Sequence, residues 1–216
     1  MQNKHGQHLK PKGLETRRRL LQTAATLLDT GVALESLSAP SVARAAGLSP
    51  AAFYIYFNDI HDLLLELTRE TVAKMGDLVA LLREPWSADA VRRHAEQFVE
   101  AFHEYWCANH GALVFSIFAV NNGDKDVAQL RREGSYPVIR ALARQMHRLH
   151  EGTGELDQVS AVARANLLWS GMQHLTANIF AAMREDPAAE VLDPSDLKKA
   201  EVDTLIRLIL PESCQG

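Results

Sequence analysis

The stretch 37–63, LSAPSVARAAGLSPAAFYIYFNDIHDL, constrains this chain more than any other. Ser38 offers a hydroxyl that can cap a helix N-terminus, and Val42 and Ala46 fall on one face of the short helix that follows. Gly47 stops that helix, because glycine enters positive φ without a Cβ penalty. Ser49 and Pro50 then supply a fresh cap and a proline at the first helical position, so a second helix starts almost at once. Phe53 and Phe57, four residues apart, anchor it inward and leave Ser49, Ala51, Ala52, Tyr54 and Tyr56 nearer the outside. Small outward side chains let a helix end sink into a major groove, and tyrosine hydroxyls suit phosphate oxygens. The segment reads as a helix-turn-helix; an ordinary two-helix corner of a bundle is the competing reading.

Upstream, Thr16 to Thr30 reads as an amphipathic helix with Leu20, Leu21, Ala24, Leu27 and Leu28 on one face, closed by Gly31. It completes a three-helix reader. Residues 1–13 are polar, carry Lys4, Lys10 and Lys12, and resemble neither an export signal nor a membrane span, so they read as a flexible basic arm. Together with Arg17, Arg18 and Arg19 they gather positive charge at the end that would face DNA. Residues 1–60 hold seven Lys or Arg against four Asp or Glu, whereas the rest holds 16 against 23. A basic end on an acidic body orients the approach to a polyanion.

The remaining residues recur at helical spacing with no strand signal, so the expected class is all-α. With 47% hydrophobic residues in 216, the chain can bury a full core. Its two cysteines, Cys107 and Cys214, are too few for a disulfide framework, and with no export segment read, a cytoplasmic protein is expected. A long rod is expected from Asp59 to about Leu82, then helices over about Ala88 to Asn109, Asp124 to His150 and Leu156 to Met183. Breaks are expected at Gly111 and near Gly134 and Pro137. A last helix starts at Asp193 and Pro194 and ends before Pro211. The helix around Leu167 and Trp169 is apolar almost all round, which predicts burial on two fronts.

The order of residues across 37–63 resembles the TetR family of bacterial transcription regulators. The matching positions are Ser38, Val42-Ala43, Ala46-Gly47, Leu48-Ser49, Phe53-Tyr54 and Tyr56-Phe57. The likeness is close over about residues 14 to 65. Beyond them it rests on length and helical pattern. Most members carry a lysine at the start of the long helix where this chain has Ile60, and His61 or the N–H groups of that helix start could replace it as a phosphate anchor. The resemblance implies a helix-turn-helix domain over 14–60 and a helical effector-binding and dimerisation domain over 61–216. It implies a homodimer joined through the last two long helices, holding a pseudo-palindromic duplex operator as a ligand-released repressor. No enzymatic activity, cofactor or membrane partner is expected. Ser38, Arg44, Tyr54 and Tyr56 would meet the DNA backbone, and Ser49, Pro50, Ala51 and Ala52 would lie nearest the bases. Two readers about 34–36 Å apart address successive major grooves.

For the effector, Phe98, Phe102, Trp106, Phe115, Phe118, Trp169 and Met172, with Gln173 and His174, are the residue types of an apolar pocket with a few orienting polar groups. Asn178 is a further polar candidate there. A hydrophobic or aromatic small molecule is therefore expected, with plain core filling as the alternative. His103, Cys107 and His110, at i, i+4 and i+7 of one helix, provide a metal-responsive alternative, although no fourth ligand is evident.

Overall fold

The computed structural model describes residues 10–151, 154, 156–185 and 193–211. The expected arm over 1–13 lies largely outside them. The helices are α1 (Pro11–Asp29), α2 (Ala39–Ala45), α3 (Pro50–Phe53), α4 (Ile60–Ala73), α5 (Met75–Leu81), α6 (Val91–Asn121), α7 (Lys125–Leu149), α8 (Gln158–Glu185) and α9 (Pro194–Ile209). The described residues contain no strand. The fold is all-α, as expected.

The chain divides into two compact units. The first comprises residues 1–73 and 109–131, and the second 74–108 and 132–216. This differs from a single boundary near residue 60, because a later segment, 109–131, belongs with the N-terminal helices. That segment contributes Ala112, Phe115, Ala119 and Val127 to the core built by Leu20, Ala24, Val42, Phe53, Phe57 and Leu63. One long and two short helices enclose little apolar surface by themselves, and the added helical segment enlarges the core.

In this first unit α1 begins five residues before the expected start at Thr16, with Pro11 in its first turn. Arg17 is not part of an exposed basic patch. Its guanidinium is 2.9 Å from Glu66 of α4 and lies over the Phe57 ring at 5.1 Å. Arg18 pairs with Glu15 at 2.7 Å on the surface. At the far end of α1, Asp29 accepts from the Gly111 N–H at 2.8 Å and lies 3.1 Å from His110 Nδ1. Gly111 does not break α6. It permits a close approach instead: a Cβ there would stand 2.5 Å from Leu28 Cβ and 3.0 Å from the Asp29 nitrogen. The helical geometry of α6 fails at Asn109, with φ −136° and ψ 17°.

The expected rod from Asp59 to Leu82 is two helices, α4 and α5, parted at Lys74 where the chain changes unit. In the second unit, α7 runs through Pro137 without ending. The lost backbone bond costs about 3 kcal/mol. Val138, Ala141, Leu142 and Met146, all fully buried, hold the helix in place across it. Buried Gln145 donates to the carbonyls of Leu82 and Glu84 and accepts from the Trp86 N–H at 3.0 Å, fixing the turn after α5 to α7. The expected two-sided burial of α8 is not found within one chain. Ala161, Ala165, Leu168, Trp169 and Met172 are buried, whereas Leu167 is 71% exposed and Leu175 49%.

Replacing Gly111 with alanine should destabilise the protein. Overpacking against Leu28 and the α1 backbone costs about 1–3 kcal/mol, more than the roughly 0.5–1 kcal/mol that removing a helical glycine returns. Gly76, with nothing within 4 Å of its virtual Cβ, is the control, and Gly76→Ala should be neutral or stabilising. Urea unfolding of the two variants measures the difference.

Candidate nucleic-acid interface and effector core

The reading element is built by local capping. The Ser38 hydroxyl accepts from the Ser41 N–H at 3.3 Å, while Ser41 Oγ accepts from the Ser38 N–H at 2.9 Å, a reciprocal box at the start of α2. Ala46 N–H bonds back to Val42, Gly47 turns with φ 65°, and Leu48 N–H reaches the Ala43 carbonyl at 2.8 Å. Ser49 Oγ then caps α3 through the Ala52 N–H. Both serines are therefore caps first; Ser49 is exposed and Ser38 half-buried.

Phe53 and Phe57 are 0% and 1% exposed with ring centroids 5.5 Å apart, so the rest of α3 and its following turn face outward. Pro50, Ala51 and Tyr54 are exposed, Ala52 and Tyr56 half-buried, and Arg44 projects from the end of α2 with Nε donating to the Pro40 carbonyl. The reading surface is open. Sequence reasoning missed Ile55, which is 47% exposed between the two tyrosines. Its position two residues from each buried phenylalanine was the available signal, since a half-turn offset points the side chain away from the core.

His61 does not stand free as a phosphate anchor. Its Nε2 is 2.6 Å from Asp124 Oδ2. The helix start that was its alternative is also occupied, because Asp59 Oδ1 accepts from the Asp62 N–H at 2.8 Å and Asp62 accepts from Asn58. With Asp59, Asp62 and Asp124 gathered there, a phosphate would meet like charge. Asp124 also begins α7, accepting from the Val127 N–H at 3.0 Å. Partial burial pushes its carboxyl up, but the Val127 N–H, the His61 hydrogen bond and the His61 charge together hold it below the ordinary value of 3.8.

The expected effector residues separate. Phe98, Phe102, Trp106, Trp169, Met172 and Gln173 are buried in the second unit. Phe102 meets Trp169 edge-on at 5.5 Å and Trp106 stacks on Phe180 at 6.2 Å, forming an aromatic seam between α6 and α8. Phe115 instead completes the core of the first unit, Phe118 is 46% exposed in that unit, and His174 and Asn178 lie on the exposed side of α8. Near the seam, His103 Nε2 is 2.6 Å from Glu201 Oε2, both buried. Trp106 Nε1, Trp169 Nε1, Thr176 Oγ1 and Glu201 Oε1 are buried with no hydrogen-bond partner among the described residues.

The metal reading through His103, Cys107 and His110 fails on this geometry. His103 turns to Glu201 in one unit, His110 to Asp29 in the other, and the non-helical Asn109 removes the common face. Cys107 is exposed, and no cluster of three metal-ligand side chains occurs among the described residues.

No protein-family model matches the chain. Solved structures do. A fatty acid degradation regulator FadR from Bacillus halodurans superposes with a TM-score of 0.64 at 17% identity, over 93% of this chain and 97% of that one. FadR from Bacillus subtilis, solved in complex with stearoyl-CoA, gives 0.64 at 11% identity over 89% and 97%. A TetR/AcrR-family regulator from Thermobifida fusca YX-ER1 gives 0.60 at 15% identity over 89% and 97%.

Because Asp124 carries a lowered pKa in the folded chain, the stability it contributes is present above its unfolded pKa and is lost as pH falls through its folded value. Stability should therefore drop more steeply below about pH 4 in the wild type than in Asp124→Asn, which keeps a capping side chain but does not titrate. Chemical unfolding at stepped pH reads the slopes; equal slopes would remove Asp124 from the account. Caps, turn, outward α3 face and helical second unit together give this chain the fold of the TetR/AcrR transcriptional regulators.

Proposed function

We propose that this protein is a ligand-responsive, DNA-binding transcriptional regulator that holds a pseudo-palindromic operator as a homodimer and represses by occlusion. The observation that carries the reading is the open face of α3 and its following turn, held outward by two fully buried phenylalanines. Pro50, Ala51 and Ala52 lie nearest the bases with Ser49, while Arg44, Tyr54, Tyr56 and Ser38 meet the phosphates. His61 has no part in the contact. With few bidentate readers on this surface, thymine methyls and duplex shape supply much of the selectivity, and Ile55 adds to the apolar contact.

The dimer is supported by the unburied side of α8. Val159, Leu167 and Leu175 are 79%, 71% and 49% exposed, and Gly171 has open space about it. Large apolar side chains in such a row mark a surface that another element covers. A second copy of α8 and α9 is that element in this reading, which brings two readers to one duplex. The effector is a hydrophobic or aromatic small molecule at the α6–α8 seam, where Trp106 and Trp169 bury indole N–H groups without acceptors among the described residues. The stearoyl-CoA bound by the Bacillus subtilis FadR supports an apolar effector. The chain passes between its units after residues 73, 108 and 131, so a shift of α6 at the seam reaches the reader through its own continuation past Asn109. The fold relatives are regulators, and the reading assigns no catalysis.

Gel shift with duplex from the chain's own upstream genomic region tests the assignment. The wild type should give a sequence-selective complex that weakens from 50 to 200 mM salt, and Tyr54→Ala should weaken it by about 10-fold, the loss of roughly one phosphate contact. A complex indifferent to Tyr54 at fixed salt would sink the reader assignment. Separately, Leu167→Glu should leave helix content unchanged and reduce the mass found by light scattering to that of one chain, because the side chain is exposed in the single chain.

A further inference from the structure

The second unit is acidic, with thirteen Lys and Arg against eighteen Asp and Glu, yet one face of α7 is uncompensated positive charge. Arg140, Arg144 and Arg148 follow at four-residue spacing, with His147 beside them. They line an open groove of about 550 Å³ whose other wall is Gln158 and Val162 of α8. None of the three arginines forms an ion pair among the described residues. Among the described residues, the acids facing this end of α7 are Glu151, which lines the groove, and Asp157, whose carboxylate feels the charge of His147.

Like charges four residues apart weaken a helix, so this stripe is a standing repulsion that a bound anion would relieve. At a rise of about 1.5 Å per residue, the three guanidinium stems start about 6 Å apart and span about 12 Å. A single small anion cannot engage all three from one point. An elongated one with separated charges can. Guanidinium forks match phosphate oxygens in pairs and are less hydrated than ammonium groups, which favours phosphate over a diffuse negative surface. The groove's size falls within the about 300–1,000 Å³ of small-molecule sites. Val162 provides an apolar wall and Gln158 an amide able to donate and accept.

We propose that the groove between the C-terminal half of α7 and the start of α8 binds a small organic polyanion carrying at least two phosphate groups. The site uses none of the α6–α8 seam residues and stands independently of the DNA-binding reading. The Arg140 to Arg148 stripe holds the phosphates, and the organic part rests against Val162.

Titration calorimetry of the full chain with metal-free ATP and with inorganic tripolyphosphate, at 50 and 200 mM salt, tests this. The wild type should bind ATP more tightly than tripolyphosphate, with both weakening as salt rises. The double variant Arg140→Gln with Arg144→Gln should lose at least 10-fold in affinity, Arg148→Gln should lose part of that, and Arg83→Gln, which removes a cation elsewhere in the unit, should bind as the wild type. Undiminished binding by the double variant, equal loss in Arg83→Gln, or no heat from either probe up to millimolar concentration would overturn the proposal. Equal affinity for both probes would overturn its organic part, and preference for hexaglutamate over ATP would point to an acidic peptide instead. Unchanged thermal melting of the double variant excludes misfolding, and a changed mass by light scattering would assign the stripe to assembly and overturn the site.

Discussion

A four-residue helix has no stability of its own, and the position of α3 depends on Phe53 and Phe57 being buried beneath it. Burying the two rings together contributes about 3–6 kcal/mol, against about 2 kcal/mol from the two serine caps. Arg17 closes this arrangement from the other side, its guanidinium over the Phe57 ring and paired with Glu66. An ion pair so little exposed contributes chiefly by geometry, since its desolvation cost offsets much of its attraction. It fixes α1 to α4, with the ring between them. The short helix α3 is therefore seated firmly on its inner side and bare on its outer one.

Much of that reader was legible because its determinants are local. Ser38, Gly47, Ser49 and Pro50 act within four residues of themselves, and the spacing of Phe53 and Phe57 declares which face is inside. What escaped the sequence lay in long-range pairing. Arg17 looked like part of a basic run, and only Glu66, far along the chain, makes it structural. His61 looked like a free imidazole until Asp124, 63 residues later, accepted it. The aromatic residues Phe102 and Phe115 sit on one helix at helical spacing, yet Asn109 divides that helix between two cores. Periodicity reports that a side chain is buried and is silent on which core receives it. The apolar circumference of α8 was read correctly as a pattern, but one chain covers only half of it.

The second unit resolves its polar groups unevenly, and the contrast is informative. Gln145 satisfies two carbonyls and a backbone N–H in a fully buried position, which is the behaviour of a structural amide. Along the α6–α8 seam, two indole N–H groups and the Thr176 hydroxyl are buried without partners among the described residues, and Glu201 places one carboxylate oxygen on His103 while the other has none among them. Each orphan costs about 1–3 kcal/mol. Unpaired indole N–H groups are not confined to the seam, since Trp86 Nε1, in the residue whose backbone N–H Gln145 accepts, has no partner among the described residues either.

The helix α6 serves both units. Its first part carries Phe102 and Trp106, and beyond Asn109 the same helix meets the end of α1 at Gly111, with the Gly111 N–H held by Asp29. Glycine there removes the side chain that would otherwise hold the two backbones apart, so little freedom remains between α6 and α1. Asn109 is where the helix departs from regular geometry, one residue past the change of unit. The irregular residue thus falls where the two cores divide the helix, and the close approach at Gly111 fixes only the part that follows it.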